Sequence, residues 1–312
     1  MPTYPVSPTL TVNALLKQPN RISRDLVNLV YKRLVADRLF VRGSADQVAG
    51  GAMQFQLAES IFLDATQDVE EIAARGDWPR TGWTEALQTA AVKQFGLEVV
   101  INNLSIRRNQ INQFVKAERK LANNLVKFID TLAMTLLTTT GGANPIQTFA
   151  SAAAWNIAGT DIIAEIVKAQ EKIETLDNGY NGFEGATLVL STFRRAGLLN
   201  NTVLRAALPR ERDAQVATGT MLPFAGLKEI IFTPQLLATQ AIVMDAGQAG
   251  VIADEPPAAE EGFTAYNPGG GFAPIYVMVY KEDRAKDTII AAGRWPAMAL
   301  TDPGAVVLIT GV

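Results

Sequence analysis

Residues 105–137, SIRRNQINQFVKAERKLANNLVKFIDTLAMTLL, are the stretch that decides the fold. Apolar residues recur there at intervals of three and four, which is the spacing of one face of a helix. They are Ile111, Phe114, Val115, Leu121, Leu125, Phe128, Ile129, Leu132 and Leu136. A helix of about thirty residues would be about 45 Å long. The stretch therefore predicts a spine that spans a whole domain, and the glycines and Pro145 that follow predict its end.

Basic residues dominate the opposite side of this predicted helix. Four of them recur along it: Lys116, Arg119, Lys120 and Lys127. Only Glu118 and Asp130 oppose them, so we expect this side to contact another chain or nucleic acid. Arg107 and Arg108 fall near the predicted amino terminus, where the helix dipole disfavours a positive charge by about 0.3–1 kcal/mol. We expect these arginines to pair with carboxylates, and plain solvent exposure is the alternative.

The composition excludes several classes of chemistry. The 312 residues are 48% hydrophobic and 19% charged, with a net charge of -3, so a basic bias of the whole chain toward nucleic acid is absent. The chain has no cysteine and no histidine, which excludes disulfides, thiolate catalysis, histidine triads and the common zinc sites. An enzyme that uses carboxylates or lysine remains an alternative.

The carboxylate pairs do not form a convincing catalytic centre. They are Asp254-Glu255, Glu260-Glu261 and Glu70-Glu71, and each lies in loop-like sequence that we expect to be solvated. The glycines of residues 267–271 are not followed by Gly-Lys-Ser/Thr, so a phosphate loop is not expected. We therefore predict no catalytic, cofactor-binding or metal-ligating residue, and no cofactor.

The first forty residues do not resemble a secretory signal, because no basic run precedes an apolar core. No window approaches eighteen uninterrupted apolar residues, so we expect a soluble protein with no membrane partner. Three prolines in the first eight residues favour an extended arm, followed by an amphipathic piece at residues 24–40. Residues 1–40 carry six basic and two acidic residues, a net charge of +4. Such an arm is suited to an acidic surface.

The next region has the opposite charge. Residues 41–92 carry three basic and eight acidic residues, a net charge of -5. Residues 53–57 alternate apolar and polar side chains, which predicts a half-exposed strand, and residues 89–101 predict a returning strand. Two strands alone are marginally stable, so the excursion needs a surface to lie on. Trp78 and Trp83 either close the loop locally or anchor it on a partner.

The sequence after the spine alternates between helical and strand patterns. Helices are predicted at residues 160–176, 192–199 and 203–208. Strands are predicted at residues 187–190, 227–232, 238–244, 250–253, 273–280, 288–292, 295–300 and 305–310. The alternation predicts a compact sheet flanked by helices, with a core strand at the carboxyl end.

The order of these parts resembles the major capsid proteins of tailed phages, which have the Hong Kong 97-type fold. The resemblance is carried by residues 50–56 (GGAMQFQ), 93–99 (KQFGLEV), 122–125 (ANNL), 232–234 (FTP), the strand and glycine-containing loop of residues 241–250, and 288–303 (TIIAAGRWPAMALTDP). It covers nearly the whole chain from about residue 40 and rests on order and spacing instead of a strict signature.

The resemblance implies an α+β fold in four parts. These are an N-terminal arm (1–40), an extended two-stranded loop with its base (41–104), a peripheral domain with the spine helix (105–142 and 269–312) and an axial domain (143–268). It implies a structural subunit, with no enzymatic activity, that self-assembles as pentamers and hexamers into an icosahedral shell around double-stranded DNA. Expected inter-subunit contacts are Trp78, Trp83, Glu70, Glu71, Arg107, Arg108, Lys116, Arg119 and Lys120.

Two departures from the family bear on assembly. Some members join subunits covalently through a loop lysine, but no lysine occurs between Lys32 and Lys93. Some members carry an N-terminal scaffolding domain, whereas about forty residues precede the loop, so a separate scaffolding protein is expected. A portal and packaged DNA are the other expected partners, with assembly in the bacterial host cytoplasm. A nanocompartment shell of the encapsulin type is the alternative with the same fold.

Overall fold

The structure is a computed structural model that describes residues 11–44, 48–57, 86–141, 145–157, 159–175, 182–207, 224–258, 261–266, 274–282 and 287–312. Its α-helices are, in chain order, α1 (Val12–Leu16), α2 (Pro19–Tyr31), α3 (Ala36–Leu39), α4 (Asn103–Arg107), α5 (Ile111–Leu137), α6 (Ile162–Glu174), α7 (Arg195–Asn200) and α8 (Thr202–Ala207). None of the helices in these ranges is long and apolar enough to cross a membrane.

The strands are short and most occur after the long helix. In chain order they are β1 (Val41–Arg42), β2 (Val48–Ala49), β3 (Ala52–Leu57), β4 (Ala86–Ala91), β5 (Phe95–Asn102), β6 (Gln147–Ala150), β7 (Thr187–Ser191), β8 (Glu229–Thr233), β9 (Gln240–Met244), β10 (Gly250–Asp254), β11 (Thr264–Ala265), β12 (Tyr276–Glu282), β13 (Asp287–Arg294), β14 (Pro296–Leu300) and β15 (Val306–Thr310). Short 3₁₀ turns lie at Thr192–Arg194 and Pro303–Ala305.

One compact unit consists of residues 1–34, 92–129 and 254–297. Its sheet has the antiparallel order β11-β12-β13-β5, with Ile290 opposite both Val279 and Val99. Helix α2 packs on β11 and β12. The Ser23 hydroxyl donates to the Ile275 carbonyl (2.6 Å) and accepts from the Tyr266 amide (2.9 Å), so a single side chain fixes the helix on the sheet.

The second compact unit consists of residues 35–91, 130–253 and 298–312. Its largest sheet has the order β6-β15-β9-β7-β8, in which β15–β6 and β7–β8 are parallel pairs and the other two pairs are antiparallel. Strand β7 is buried at every position, which explains its continuous apolar sequence. Helix α6 covers β15 and β9 with Ile162, Ile166 and Ile173. The predicted C-terminal core strand is confirmed as β15.

The long helix is shorter than predicted, because the predicted helix is interrupted between α4 and α5. Asn109 has a φ of 51°, in the left-handed region that asparagine tolerates better than most residues. Its amide donates to the Ile106 carbonyl (3.0 Å), and the Gln110 amide donates to the Ser105 carbonyl (3.0 Å). These two bonds form a Schellman cap that ends α4. The remaining 27 residues of α5 make a rod about 40 Å long.

Two other predictions about the first hundred residues were wrong. Residues 12–23, predicted as part of an extended arm, form α1 and the start of α2, because Val12 and Ile22 find apolar partners and are nearly fully buried. The single returning strand at residues 89–101 is two strands, since β4 pairs with β3 and β5 pairs with β13. The predicted domain boundaries stay a prediction.

The prediction that Asp254 lies on a solvated surface was also wrong. Asp254 and Arg294 are only 6% and 1% exposed. Arg294 donates from Nε to Oδ1 (2.7 Å) and from Nη2 to Oδ2 (3.1 Å) of Asp254, which is a two-pronged pairing of the kind that satisfies a buried carboxylate. The expectation failed because the partner lies forty residues away in the sequence.

Replacing Asp254 should therefore destabilise the subunit strongly. Asp254→Asn leaves the Arg294 guanidinium buried without its counter-charge, and we expect the free energy of unfolding to fall by about 3–5 kcal/mol in urea denaturation of unassembled subunits. The double variant Asp254→Leu/Arg294→Met removes both charges and should lose less than the single variant.

The matched control is Glu184→Gln, because Glu184 pairs with Lys228 (2.6 Å) on the surface, where both side chains are exposed. The denaturation midpoint of this control should stay close to that of the wild type. An Asp254→Asn subunit as stable as the control would contradict the assignment of a structural role to the buried pair.

Candidate functional site

A small sheet forms the base of the predicted extended loop. Its strand order is β2-β3-β4, and Gly50 and Gly51 connect β2 to β3 with φ values of 62° and 80°. Positive φ at both central positions is what a two-residue type I′ hairpin turn requires. Strand β3 then pairs with β4 from Ala52 opposite Ala91 to Leu57 opposite Ala86. The strand predicted at residues 53–57 is confirmed.

The acidic segment, residues 58–85, is the part of the chain between these two paired strands. It contains seven acidic and two basic residues. Trp78, Trp83, Glu70 and Glu71 belong to it and lie outside the described residues. Their expected contacts with another subunit stay a prediction. The register shows that the acidic segment begins and ends at directly opposite positions, after Leu57 and before Ala86.

Arg107 and Arg108 do not lie at the amino terminus of the long helix. Arg107 occupies the last turn of α4 and Arg108 is its C-cap residue, where the helix dipole favours positive charge. The sequence interpretation was wrong here because the cap at Asn109 was missed. Both side chains are exposed. Asn109 also accepts a hydrogen bond from the Val12 amide (2.8 Å), so the junction that presents the arginines is tied to α1.

The basic face of α5 comprises Lys116, Arg119, Lys120 and Lys127, and all four side chains are exposed. The sequence pattern predicted this exposure correctly. Glu118 and Asp130 do not oppose the basic face, because they are 7% and 2% exposed. The surface is therefore more strongly basic than the sequence suggested.

The two buried carboxylates of α5 have different surroundings. Asp130 accepts hydrogen bonds from the amides of Val35 (2.9 Å) and Ala36 (3.0 Å) at the start of α3. The Oε1 atom of Glu118 has no hydrogen-bond partner. Burial, reinforced by the carboxylate of Asp25, raises the pKa of Glu118 to about 7, while Arg21 acts in the opposite direction.

Glu165 is a structural residue that the sequence interpretation missed. It lies on α6 between Ile162 and Ile166 and is buried. Its carboxylate accepts from the Ser151 hydroxyl (2.6 Å), the Ala152 amide (2.8 Å) and the Trp155 indole (2.5 Å). The bonds fix the chain that follows β6 against α6. A charged residue on the apolar stripe of a predicted helix was the signal for it.

Phe193 and Leu237 are among the large apolar side chains of the second unit that face solvent. Phe193 is 76% exposed and Leu237 is 65% exposed. The Nε atom of Arg194 donates to the Ala238 carbonyl (2.5 Å), which brings the two adjoining turns together. The two exposed apolar side chains lie on these adjoining turns, so the turns are a candidate contact surface. Sequence periodicity could not identify it, because both turns are irregular.

The described residues contain no arrangement suited to metal binding, since no group of three or more Asp, Glu, His or Cys residues converges among them.

Among the described residues, Asp302 is a second carboxyl group, besides Glu118, whose pKa is strongly shifted. Burial raises the pKa of Asp302 to about 6, and the hydrogen bond with the Thr301 hydroxyl acts in the opposite direction.

Solved structures of similar fold come from phages and an archaeal particle. A phage-related protein from Bordetella bronchiseptica RB50 has a TM-score of 0.59 at 13% identity, covering 93% of this chain and 96% of that chain. The capsid of Cyanophage P-SCSP1u has a TM-score of 0.58 at 13% identity, covering 89% and 88%. The virus-like particle from Pyrococcus furiosus has a TM-score of 0.54 at 14% identity, covering 93% and 97%.

These structural similarities, at such low identity, concern the fold, and they confirm the predicted α+β fold of the Hong Kong 97 type. No curated protein matches the sequence. The model of the family described as phage capsid protein matches residues 85–309, which is more than two thirds of the chain. The chain therefore belongs to the phage capsid protein family, and it is a structural, non-enzymatic subunit of a capsid shell.

Proposed function

We propose that this subunit builds the icosahedral shell of a tailed phage and that the shell encloses double-stranded DNA. The family match over residues 85–309 is the observation that carries the proposal. In the shell, pentamers and hexamers of the chain are joined by many weak contacts, whose combined strength keeps a closed particle intact. A separate scaffolding protein and a portal act during assembly in the host cytoplasm.

The acidic segment is the proposed inter-subunit arm. It follows Leu57 of β3 and precedes Ala86 of β4. These two residues are directly opposite each other, so both ends of the segment lie at one point of the small sheet. Its seven acidic residues complement the exposed basic face of α5 and the arginines at the α4–α5 junction of a neighbouring copy. Trp78 and Trp83 are the proposed apolar anchors, and Glu70 and Glu71 the proposed charged contacts.

The domain roles follow the same proposal. Residues 105–142 and 269–312 form the peripheral domain, and residues 143–268 form the axial domain that meets its copies at the five-fold and six-fold centres. Phe193 and Leu237 lie within the axial range and are exposed in the single chain. Their burial between neighbouring copies would remove two large apolar side chains from water, each worth about 1.5–3 kcal/mol.

A nanocompartment shell that encloses an enzyme is the second candidate function. It is favoured by the similarity to the virus-like particle from Pyrococcus furiosus, of which 97% is covered. The two proposals predict the same fold and differ in the contents of the shell.

The contents of native particles test the proposal directly. Particles recovered from cells that produce them should contain double-stranded DNA that resists added nuclease, as measured by electrophoresis after the shell is opened. Electron microscopy of the same sample should show closed icosahedral shells. A single co-purifying enzyme in place of DNA, identified by mass spectrometry, would favour the nanocompartment instead.

Removing the acidic segment should block assembly without unfolding the subunit. Because Leu57 and Ala86 are directly opposite, an Asn-Gly turn can replace residues 58–85 and close the β3–β4 hairpin. We expect an unchanged thermal unfolding transition and circular dichroism spectrum, with no closed shells in electron micrographs.

The matched control replaces residues 58–85 with a Gly/Ser segment of the same length, which retains the reach of the segment and removes its side chains. This control should also fail to close shells, because the contacts are lost. Normal shells from the Asn-Gly variant would show that the acidic segment is not the inter-subunit arm.

Reversing the basic charges should weaken assembly and change its response to salt. Arg119→Glu/Lys120→Glu and Arg107→Glu/Arg108→Glu each replace attraction to the acidic segment with repulsion. At about 1 kcal/mol per variant, the subunit concentration needed for assembly should rise about fivefold in light scattering. Added salt should inhibit the wild type, because it screens the attraction, and should not inhibit the variants.

Lys168→Glu is the matched control for these reversals, because Lys168 is an exposed basic residue on α6. This single substitution lowers the net charge by half as much as each double variant does. The Lys168→Glu subunit should assemble as the wild type does. If both double variants assemble with the wild-type concentration and salt dependence, the arginines and the basic face are ordinary solvated surface.

A further inference from the structure

Two buried polar atoms of opposite charge lack partners in the first compact unit. Glu118 on α5 is 7% exposed, and its Oε1 atom makes no hydrogen bond. The Nε atom of Arg21 on α2 is also buried and makes no hydrogen bond. Unpaired buried polar atoms destabilise a fold, so two of opposite charge on side chains that interact electrostatically require an explanation.

The charges that act on Glu118 come from α2. Arg21 attracts the carboxylate and Asp25 repels it. Within α5 itself, the residues one turn away are uncharged: Phe114, Val115, Leu121 and Ala122. An ionised Glu118 is therefore attracted by the guanidinium of Arg21 and repelled by the carboxylate of Asp25, and its own burial makes the charge costly. A protonated Glu118 removes both the repulsion from Asp25 and the cost of a buried charge.

Two other contacts at α2 do not depend on a carboxyl group. Ser23 binds the Ile275 carbonyl and the Tyr266 amide on the sheet side. Just beyond the carboxyl end of α2, Arg33 donates to the amide oxygen of Asn123 (2.5 Å) on α5. These bonds retain the helix at its middle and its end at any ordinary pH. The electrostatic interaction of Glu118 with Arg21, in the first turn of α2, and with Asp25, at its middle, is the one that depends on a carboxyl group.

We propose that Glu118 is a proton-sensitive contact between α5 and α2, which holds the first turns of α2 firmly when Glu118 is protonated and loosens them when it is ionised. The direction follows from linkage. The pKa of Glu118 in the folded chain, about 7, lies above the value of 4.5 for an exposed glutamate. Stabilisation by the neutral form is therefore present at acidic pH and is lost as the pH rises from about 4.5 to about 7. The contact therefore weakens between mildly acidic and neutral pH and changes little above neutrality.

Hydrogen–deuterium exchange of the full chain at pH 5.5 and pH 8.0 tests the proposal. After correction for the intrinsic pH dependence of exchange, protection of amides in residues 20–26 should fall about tenfold to a hundredfold at the higher pH. Protection near Arg33 should change much less. In Glu118→Gln, which cannot ionise, protection of residues 20–26 should be the same at both pH values.

Two further variants separate this contact from general effects of pH. Asp302→Asn removes the other carboxyl with a raised pKa, which belongs to the second compact unit, and should leave the response of α2 unchanged. Asp25→Asn removes the repelling charge and should shift the midpoint of the α2 response to lower pH. This shift tests the proposal even if Glu118→Gln does not fold. An unchanged midpoint in Asp25→Asn, or an equal response in the wild type and Glu118→Gln, would overturn it.

Discussion

Burial of one face of α5 is the constraint on which the other features depend. Its apolar stripe fixes the rotation of the helix and includes Phe114, Leu121, Leu125 and Ile129. Because the apolar stripe is buried, the basic face on the other side of the helix is exposed to solvent. The same rotation buries the carboxylates of Glu118 and Asp130, and each of them then needs a hydrogen-bond donor. Asp130 obtains two amide donors, whereas Glu118 has one oxygen without any, and this contrast distinguishes a structural carboxylate from a responsive one.

Periodicity predicted those features in which the burial or exposure of a side chain depends on its neighbours in the sequence. The stripe and the basic face of α5 follow from a spacing of three and four, and the strand at residues 53–57 follows from alternation. Periodicity did not reveal the break at Asn109, because apolar residues recur at compatible intervals on both sides of it. The capping signal was present in the sequence, but asparagine at a helix end is less distinctive than glycine.

Features that depend on distant partners were not predictable in the same way. Asp254 becomes a buried residue only because Arg294 reaches it from another strand. Glu165 is likewise buried because three donors from residues 151–155 converge on it. For the proposed assembly surface on α5, the sequence identified the sign of the charge and the side of the helix that bears it. The exposure of Phe193 and Leu237 required the arrangement of two turns that no local pattern specifies.

The register of β3 and β4 has a consequence for how such a subunit can vary. Because Leu57 and Ala86 are opposite each other, the pairing of β3 with β4 does not depend on the length of the peptide between them. The entropy of closing a flexible loop grows slowly, by about 0.6 kcal/mol for each doubling of length. Peptides of very different size can therefore be accommodated at this point with little effect on folding. The subunit thus separates two properties that are often coupled, the stability of the folded chain and the length of the peptide between β3 and β4.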